Sequence, residues 1–522
     1  MSQVTRSRGI ALATAAAFAI ALIPAGAATA APAAKCDNRN NNTISKLLEC
    51  VNADGAMEHL EAFQRIADEN GGNRAAGLPG YEASVDYVVE TLEAAGWNVT
   101  IDEFDFTFVG PSTLTQLTPV NAEYPTGPFT GSGPGDVTAS VVGVDLQLGL
   151  GNTNTSGCDD ADFVGFPAGS IALIQRGFCP FADKAINAEE AGAAGVIIFN
   201  AGDAATADRQ DLIVGTLGGS NIVGIPVVGA SYEQGVALSQ AGSTAHVFVP
   251  APEERPQKNV IAELPGTNTN NVVMAGAHLD SVQAGPGIND NGSGSASLLE
   301  IAQNLSKLKP ENTIRLAWWG AEEAGLIGSQ AYVDGLSQAE KDRIALYLNF
   351  DMVASPNYIF MIYDGDESQF PAPVDVPAGS VQIEDLFESY FTSVGQPYDD
   401  AEFSGRSDYE AFILEGIPAG GLFTGAEVIK TAEQQAIWGG VAGESFDQCY
   451  HQACDTIDNV NVEALDVNID AIALAVLAYS YSTESVNGVK GKAIPGGLNL
   501  PAPAGPQGTT GSGGGHSHGD HV

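Results

Sequence analysis

Three apolar runs of strand length lie between residues 272 and 350, and each is followed by residue types that bind metals. His278 follows the first run and Asp351 follows the third. Glu322 and Glu323 come just after the second. Because an α/β sheet places its functional sites at the carboxyl ends of its strands, we expect these side chains to meet at one edge. The pattern restricts this half of the chain to an α/β sheet with a polar site.

Helix-like runs lie among and after these strands, which is the alternation expected of an α/β sheet with helices on both faces. Two earlier helices and a strand begin the same domain, and an inserted segment then interrupts it. The predicted strands of this domain are 99–108, 258–266, 271–277, 313–319 and 344–350. Its predicted helices are 57–69, 83–95, 296–305, 329–333, 383–394 and 469–481.

Further acidic and imidazole side chains lie in polar loops near these strand ends. Asp280 comes two residues after His278, where its carboxylate can hold the second ring nitrogen. Asp290 lies in a Gly- and Asn-rich loop that opens a helix. His451 follows Tyr450 and lies between two cysteines, whose pairing would fix the loop. Taken singly, each of these residues is explained better by a turn, a helix cap or a structural histidine than by a function.

Glu322 and Glu323 form an adjacent pair in the irregular segment after a strand. Adjacent carboxylates in such a segment point in different directions, so one can bind a metal while the other stays available as a base. Together with the His and Asp residues the pair provides five nitrogen or oxygen ligands and one spare carboxylate. A two-zinc hydrolase needs such a set.

The segment between residues 110 and 252 differs in composition, being rich in Gly, Ala, Val and Thr. Residues 169–200 read as a β-α-β unit, and the stretch ALIQRGFCPFADKAINAEEAGAAGVIIFN resembles a protease-associated (PA) domain. The resemblance implies a β-rich module that governs substrate access and carries no catalytic residue.

The rest of the chain contains a series of motifs in a fixed order, namely AGAHLDSV, GINDNGSGSA, WWGAEEAGLIGS, LNFDM, GRSDYEAF, GIPAGGLFTGAE and CYHQACDT. Through these motifs it resembles the co-catalytic zinc aminopeptidases of the M28 peptidase family, of the secreted bacterial leucine-preferring type. The similarity covers about residues 55–110 and 255–482. The implied fold is the zinc-exopeptidase α/β fold, a mixed central sheet with helices on both faces and the PA domain inserted in it.

The resemblance also implies roles for individual residues around two zinc ions. Asp290 bridges the ions, His278 and Asp351 complete one site, and Glu323 and His451 complete the other. Asp280 orients His278, and Glu322 is the general base for the zinc-bound water. Tyr450 donates a hydrogen bond to the oxyanion. Arg406 positions the substrate near its free terminus, and the acids Asp400 and Glu402 are weaker candidates for the ammonium group.

The implied reaction is hydrolysis of the N-terminal peptide bond of peptides or proteins, with an expected preference for apolar N-terminal residues. Some family members bind calcium through acids of the last helix, and Asp466 and Asp470 match that pattern. An interpretation of these two acids as ordinary helix-surface residues stays open.

Two other functions compete with this interpretation. A zinc carboxypeptidase of the glutamate-carboxypeptidase kind also carries a PA domain, but it would need a basic cluster for the substrate carboxylate. Arg406 is the one clear basic candidate in the later motifs. A non-catalytic metal-binding module would be expected to have lost a ligand or the base, and all six residues are present.

The net charge of the chain limits the classes of partner that it can be expected to bind. It has 21 Lys and Arg against 64 Asp and Glu, a formal net charge of −43. Such a balance argues against nucleic acid and anionic membranes as partners. We expect peptide substrates with a free N-terminus and a monomeric protein.

The N-terminal residues read as a secretory signal. Arg6 and Arg8 form a positive region, residues 10–23 are apolar, and Ala28-Thr29-Ala30 forms a cleavage site. The apolar run is shorter than the roughly 18 residues of a membrane span. The sequence therefore predicts secretion.

Six cysteines suit an exported protein. Proximity in the chain favours the pairs Cys36–Cys50, Cys158–Cys179 and Cys449–Cys454, although sequence alone permits other connectivities. The chain ends in a Gly- and Pro-rich stretch with His516, His518 and His521, which predicts disorder. The expected division is a signal peptide at 1–30, the first part of the peptidase domain at 31–110, the PA domain at 111–254, the rest of the peptidase domain at 255–486 and a disordered tail at 487–522.

Overall fold

A computed structural model describes Cys36, residues 39–219 and residues 222–510. The predicted signal peptide at residues 1–30 and the three histidines of the tail lie outside the described residues. Within the described residues, none of the helices combines the length and the apolar character needed to cross a membrane.

The described helices range from single turns to five full turns. They are α1 (Ile44–Leu48), α2 (Ala53–Glu69), α3 (Pro79–Ala95), α4 (Phe181–Glu190), α5 (Ala207–Gln210), α6 (Tyr232–Leu238), α7 (Ser293–Leu305), α8 (Ile327–Gly335), α9 (Gln338–Lys341), α10 (Ser380–Val394), α11 (Tyr409–Leu414), α12 (Ala432–Trp438), α13 (Val462–Tyr481) and α14 (Glu484–Asn487).

The described strands belong to two sheets. They are β1 (Asn98–Phe108), β2 (Thr113–Thr118), β3 (Ala122–Tyr124), β4 (Gly135–Gly143), β5 (Ile171–Gln175), β6 (Gly195–Phe199), β7 (Val227–Ala230), β8 (Thr244–Val249), β9 (Glu253–Leu264), β10 (Asn268–His278), β11 (Asn312–Trp319), β12 (Ile344–Phe350), β13 (Met361–Tyr363), β14 (Asp399–Ala401) and β15 (Ala419–Phe423).

The larger sheet has the strand order β1-β9-β11-β10-β12-β15-β13-β14. Its centre is parallel, because β10 pairs in parallel with both β11 and β12, and β12 pairs in parallel with β15. On one side β9 runs antiparallel to β11 and to β1. The sheet is therefore mixed, and its parallel strands bring their carboxyl ends to one edge.

The smaller sheet is formed by the inserted segment and has the order β3-β2-β8-β4-β5-β6-β7. The unit β5-α4-β6 is the β-α-β unit predicted from the sequence, and its two strands pair in parallel. The chain leaves the larger sheet after β1 and re-enters it at β9, and these two strands pair along their whole length from Asn98 with Glu263 to Phe108 with Glu253. The inserted domain is thus connected to the larger sheet through the paired ends of β1 and β9.

Local sequence explains where the N-terminal helices begin and end. Asn52 caps α2 by accepting a hydrogen bond from the Gly55 N–H at 3.0 Å. Pro79 opens α3, and Gly96 ends it with a left-handed φ of 85°. Both helices bury one face against α7 or the sheet.

The closing helix α13 is apolar on nearly all sides and is buried along most of its length. It contacts α1, α2, α7 and α10 as well as strands β10 and β11. A helix that is hydrophobic all round needs such a central position. The predicted α/β fold, with a mixed sheet, packed helices and an inserted β-rich domain, is confirmed.

All three predicted disulfides are confirmed. They join Cys36 to Cys50, Cys158 to Cys179 and Cys449 to Cys454. The second bond connects the segments before and after β5, and the third closes a loop of the larger domain.

The described part of the C-terminal segment differs from the predicted disorder. The N–H groups of Gly508, Thr509 and Thr510 donate hydrogen bonds of 2.7–3.1 Å to the Asp399 carboxylate. The Gln507 N–H donates to the Tyr398 carbonyl at 2.9 Å. The expectation of disorder from residue 487 is wrong as far as Thr510, because composition does not reveal that a buried acid on β14 gathers these backbone donors.

Candidate active site

The predicted metal-ligand residues lie together at the carboxyl edge of the larger sheet. β10 ends at His278, beside Trp319 of β11, and on its other side β12 runs into Asp351. The Glu322 and Glu323 pair follows β11. The parallel pairing of these three strands brings together side chains that are far apart in the sequence.

Asp290 lies between the two histidines. One carboxylate oxygen is 3.3 Å from His278 Nε2, and the other is 3.2 Å from His451 Nε2. Each imidazole has a further carboxylate neighbour, since Asp351 lies 3.2 Å from His278 Nε2 and Glu323 lies 3.0 Å from His451 Nε2. The result is two donor groups that share one aspartate.

Glu322 lies beside the first of these groups. Its Oε2 is 3.8 Å from His278 Nε2, and its side chain is only 1% exposed. His278, Glu322 and Asp351 each offer one potential ligand atom within 4.8 Å of the others, as do His278, Asp290 and Glu323. The structure therefore brings together every residue that the sequence predicted as a zinc ligand or as the base.

The loop that carries Asp290 is held by an acid from the distant His451 segment. Asp455 accepts hydrogen bonds from the Asn289 N–H at 2.9 Å and from the Asp290 N–H at 3.0 Å. Asn291 accepts from the N–H of Met352, one residue after Asp351, at 3.2 Å. These contacts fix the Asp290 carboxylate relative to both histidines.

Asp280 is fully buried and makes contacts beyond the predicted one. Its backbone carbonyl lies 3.1 Å from His278 Nδ1, whereas its carboxylate lies 3.8 Å from the same nitrogen. The carboxylate accepts hydrogen bonds from the backbone N–H groups of Glu322 and Glu323 at 3.2 and 3.3 Å. Asp280 therefore links the histidine strand to the adjacent glutamate pair.

Tyr450 and His451 form a stacked pair with ring centroids 3.8 Å apart. His451 has a left-handed φ of 56°, an uncommon conformation for a residue with a side chain, and the Cys449–Cys454 bond closes the loop around it. The buried Tyr450 hydroxyl has no hydrogen-bond partner among the described residues. Burial, followed by the charge of Asp290, raises the pKa of Tyr450 well above its usual value, so the hydroxyl keeps its proton.

Arg406 lies in the loop between β14 and α11, and the structure connects this loop to the site through its neighbour. The Ser407 hydroxyl donates a hydrogen bond of 2.7 Å to Asp351. The loop that carries Arg406 is thereby anchored to one of the carboxylates beside His278.

The charges around the imidazoles strongly favour a cation. Burial alone would lower the pKa of His278, but the charges of Glu322 and Asp351 raise it well above its usual value. The pKa of His451 is raised to about 11, because the Glu323 charge and the contact with Asp290 outweigh burial. Buried carboxylates that gather around imidazole nitrogens are the donors that zinc takes in catalytic sites. The residues present therefore fit a pair of zinc ions.

The weaker candidates lie elsewhere. Asp400 groups with Asp364 and Glu384 rather than with the histidines. Asp466 accepts a hydrogen bond from the Ala53 N–H at 3.0 Å, and burial followed by the Asp466 charge raises the pKa of Asp470 to about 7. Calcium binding by Asp466 and Asp470 stays a prediction.

Three supporting residues escaped the sequence analysis. Ser407 and Asp455 both stand inside motifs that carried the family resemblance, so a residue-by-residue examination of those motifs could have found them. Arg74 had only one signal, a charged residue in a Gly- and Asn-rich loop. It is fully buried and donates hydrogen bonds to the carbonyl oxygens of Leu279, Pro286 and Gly287.

Comparison with known proteins matches both parts of the chain. The model of the family described as Peptidase family M28 matches residues 259–476, and that of the PA domain matches residues 137–238. An aminopeptidase of Pseudomonas aeruginosa is 51% identical over 450 residues, which cover 84% of this chain and 83% of that protein. A probable leucine aminopeptidase 2 of Aspergillus fumigatus is 47% identical over 351 residues, covering 66% of this chain and 68% of that protein.

A solved structure agrees with these matches. BSAP, a zinc aminopeptidase from Bacillus subtilis, is 27% identical with a TM-score of 0.61, and the similarity covers 82% of this chain and 94% of that one. The chain therefore belongs to peptidase family M28, with a PA domain inserted in its peptidase domain, and it is a metallo-aminopeptidase.

Proposed function

We propose that this protein is a secreted, monomeric di-zinc aminopeptidase that hydrolyses the N-terminal bond of peptides and proteins and prefers apolar N-terminal residues. The observation that carries the proposal is the position of Asp290 between His278 and His451, with one oxygen toward each imidazole. A carboxylate in that position can serve two ions at once, and each ion then has its own histidine.

The zinc ions would be held by the donor groups on either side of Asp290. His278 and Asp351 would complete one site, and Glu323 and His451 the other. Zinc in such a site supplies Lewis acidity, which makes a water molecule nucleophilic at neutral pH and polarises a carbonyl group. The zinc named for the Bacillus subtilis relative supports this assignment.

Glu322 is the proposed general base. Its carboxylate is buried beside His278, and Asp280 holds its backbone N–H. A carboxylate in this position can take the proton of the attacking water and later deliver it to the leaving amine. Its neighbour Glu323 faces His451 instead. Glu322 would therefore act as the base and Glu323 as a zinc ligand.

Tyr450 and Arg406 are assigned to the substrate. The Tyr450 hydroxyl keeps its proton and has no hydrogen-bond partner within the described part of the chain, and the Tyr450 ring stacks on His451. The hydroxyl can therefore donate to the carbonyl oxygen as negative charge develops there. Arg406 would position the substrate near its free terminus, on a loop that Ser407 ties to Asp351.

The preference for apolar N-terminal residues is supported by the leucine aminopeptidase named among the relatives. The N-terminal signal and the three disulfides support an oxidising, extracellular location. The formal charge of −43 argues against nucleic acid and anionic membranes as partners.

The decisive experiment combines metal analysis with two matched substrates. The purified protein should contain close to two zinc ions per chain, and it should cleave leucine p-nitroanilide but not N-acetyl-leucine p-nitroanilide. A zinc-loaded protein that cleaves neither substrate, but removes C-terminal residues from peptides, would instead be a carboxypeptidase. A chain without tightly bound metal would overturn the assignment of the ligands.

A further inference from the structure

A second group of acids lies apart from the histidines, around the short strands β13 and β14. Asp364 follows β13, Glu384 lies in the second turn of α10, and Asp400 lies in the middle of β14. Each offers a carboxylate oxygen within 4.8 Å of the others. The three residues are 1%, 5% and 0% exposed, so they form a buried acidic cluster rather than a solvated surface.

The cluster carries unbalanced negative charge. Among the described residues, the charged groups that act most strongly on Glu384 are themselves carboxylates, those of Asp366, Asp400, Asp364 and Glu388. Burial and these charges raise the pKa of Glu384 to about 9, and burial with the charges of Asp364 and Asp399 raises that of Asp400 to about 7. Buried carboxylates in this situation take up protons or a cation.

One oxygen of the cluster has no partner among the described residues. Asp400 Oδ1 is buried and accepts no hydrogen bond from residues 39–219 or 222–510, whereas Oδ2 accepts a long bond of 3.3 Å from the Ser368 hydroxyl. A buried charged oxygen without a partner is strongly disfavoured, so this oxygen requires either a proton or a bound cation. The oxygen belongs to a fully buried side chain within the group of potential ligands.

The other two carboxylates are held in place by the backbone of the loop after β13. Asp364 accepts hydrogen bonds of 2.8–2.9 Å from the N–H groups of Ser368, Gln369 and Phe370. Glu384 Oε2 accepts from the Gly365 and Asp366 N–H groups, both at 3.0 Å. These bonds orient the carboxylates before any ligand arrives, which lowers the cost of binding.

We propose that Asp364, Glu384 and Asp400 form a calcium site that is separate from the zinc centre. The donors are all carboxylate oxygens, without histidine or cysteine, and hard cations prefer such a set. Calcium suits the cluster better than magnesium because calcium accepts irregular geometry and several protein oxygens, whereas magnesium demands a nearly ideal octahedron.

The expected role of the ion is structural. It would join β13, α10 and β14, and the residue before Asp400 is Asp399, whose carboxylate binds the backbone of residues 508–510. Calcium should therefore stabilise both the edge of the large sheet and the attachment of the C-terminal segment. The proposal is independent of the peptidase reaction.

The test uses the zinc-loaded full chain, freed of calcium on a chelating resin and then resupplied with two equivalents of zinc. Binding is followed by equilibrium dialysis with radioactive calcium and by terbium luminescence, which the neighbouring Tyr363 and Tyr398 can sensitise. Stability is followed by the melting temperature Tm with and without calcium. We expect calcium to bind to this cluster and to raise Tm, because a ligand that binds only the folded state stabilises it.

Glu384→Gln and Asp400→Asn are the informative variants, and Asp470→Asn is the matched control at the other candidate acids. Each cluster variant should weaken calcium binding by about 10-fold or more and abolish the rise in Tm. In calcium-free buffer the Tm of Glu384→Gln should exceed that of the wild type, because glutamine is neutral without the proton that the buried Glu384 must take up on folding. The control should retain the calcium response.

Several outcomes would overturn the assignment. If equilibrium dialysis detects no bound calcium and calcium leaves Tm unchanged, the cluster holds protons instead of a cation. If the calcium response survives in both cluster variants and disappears in Asp470→Asn, the site lies in α13. Stabilisation by magnesium but not by calcium would contradict the choice of ion.

Discussion

The Asp280 carboxylate accepts the backbone N–H of Glu322 at 3.2 Å, and its second oxygen accepts the next N–H at 3.3 Å. Asp280 is thus a positioning residue for the proposed base as well as a neighbour of His278. Its pKa is raised to about 7 by burial, although the charge of His278 opposes the rise. One residue therefore couples the end of β10 to the segment after β11.

Asp280→Asn should disturb the contacts of the carboxylate with the Glu322 and Glu323 N–H groups, whereas the backbone carbonyl beside His278 Nδ1 stays in place. An asparagine has one accepting oxygen, so it cannot receive both N–H groups, and its amide nitrogen faces a donor. We expect zinc affinity and kcat to fall, with a loss of about 10- to 100-fold in zinc affinity. Zinc dialysis and steady-state kinetics measure the two effects. Asp342→Asn, which removes a carboxylate on the surface, is the control and should change neither quantity.

Glu322→Gln and Glu323→Gln form a matched pair that separates base from ligand. Glu322→Gln should keep two zinc ions and the wild-type Tm while kcat falls by about 10² to 10⁴. Glu323→Gln should lose one zinc ion, because Glu323 contacts His451. Metal analysis of both purified variants decides the assignment. Loss of zinc from Glu322→Gln together with full zinc in Glu323→Gln would mean that Glu322 is the ligand and Glu323 the base.

Tyr450→Phe should cost activity without costing stability. The hydroxyl has no partner among the described residues, so its removal leaves no donor or acceptor unpaired and Tm should stay the same or rise. The loss of one oxyanion donor should lower kcat by about 10²- to 10³-fold. Kinetics and thermal unfolding of the zinc-loaded variant test both parts.

Tyr479→Phe is a control with the opposite expected result, a loss of stability without a loss of activity. The Tyr479 hydroxyl donates a hydrogen bond to the Gln382 carbonyl at 3.0 Å in the core of the large domain. Its removal should lower stability by about 1 kcal/mol and leave kcat unchanged. A Tyr450→Phe variant that resembles Tyr479→Phe in both measurements would show that the Tyr450 hydroxyl is structural.

The parts of the fold that local pattern determines were predictable from the sequence. Strand β12 has the predicted bounds, because its short apolar run of buried residues follows the charged residues 340–343 and ends at Asp351. The site at the strand ends was likewise predictable in kind, since parallel strands must deliver His278 and Asp351 to one edge. The position of Asp290 between the two histidines could be predicted only through the family resemblance, because a Gly- and Asn-rich loop has no periodicity from which to infer the direction of a side chain.

Contacts between distant segments were not predictable. The hydrogen bond that fixes Asp290 comes from Asp455, 165 residues away in the sequence, and no local pattern encodes that separation. Arg74 is a similar case, because its role depends on three carbonyl groups of a loop more than 200 residues away. The C-terminal segment was misjudged for the same reason, since a low-complexity composition does not show which buried acid it meets.

Arg74→Met should destabilise the protein by about 3 kcal/mol or more. Burial lowers the pKa of Arg74 to about 10, which still leaves the guanidinium charged at neutral pH, and its removal leaves the carbonyls of Leu279, Pro286 and Gly287 without their donors. Urea unfolding of the zinc-loaded protein measures the loss. Arg65→Met on the exposed face of α2 is the control, and equal effects of the two substitutions would contradict a structural role for Arg74.

His59 should contribute to acid unfolding. It is buried in α2, where its Nδ1 lies 2.7 Å from the Tyr87 hydroxyl, and burial lowers its pKa to about 4 against a contact with Gln303 that raises it. Between pH 6.5 and 4 the unfolded chain therefore binds a proton that the folded chain does not. The free energy of unfolding must fall as the pH decreases through this range, by about 3 kcal/mol in total for this one group.

His59→Gln should remove that part of the pH dependence. Urea unfolding of wild type and variant at pH 7, 6, 5 and 4 gives two curves of free energy against pH, and zinc release, which affects both proteins, cancels in their difference. The variant should be less stable than the wild type at pH 7, because glutamine fills the site less well, and the gap should narrow steadily toward pH 4. Parallel curves over the whole range would mean that His59 takes up its proton equally in the folded and unfolded chains.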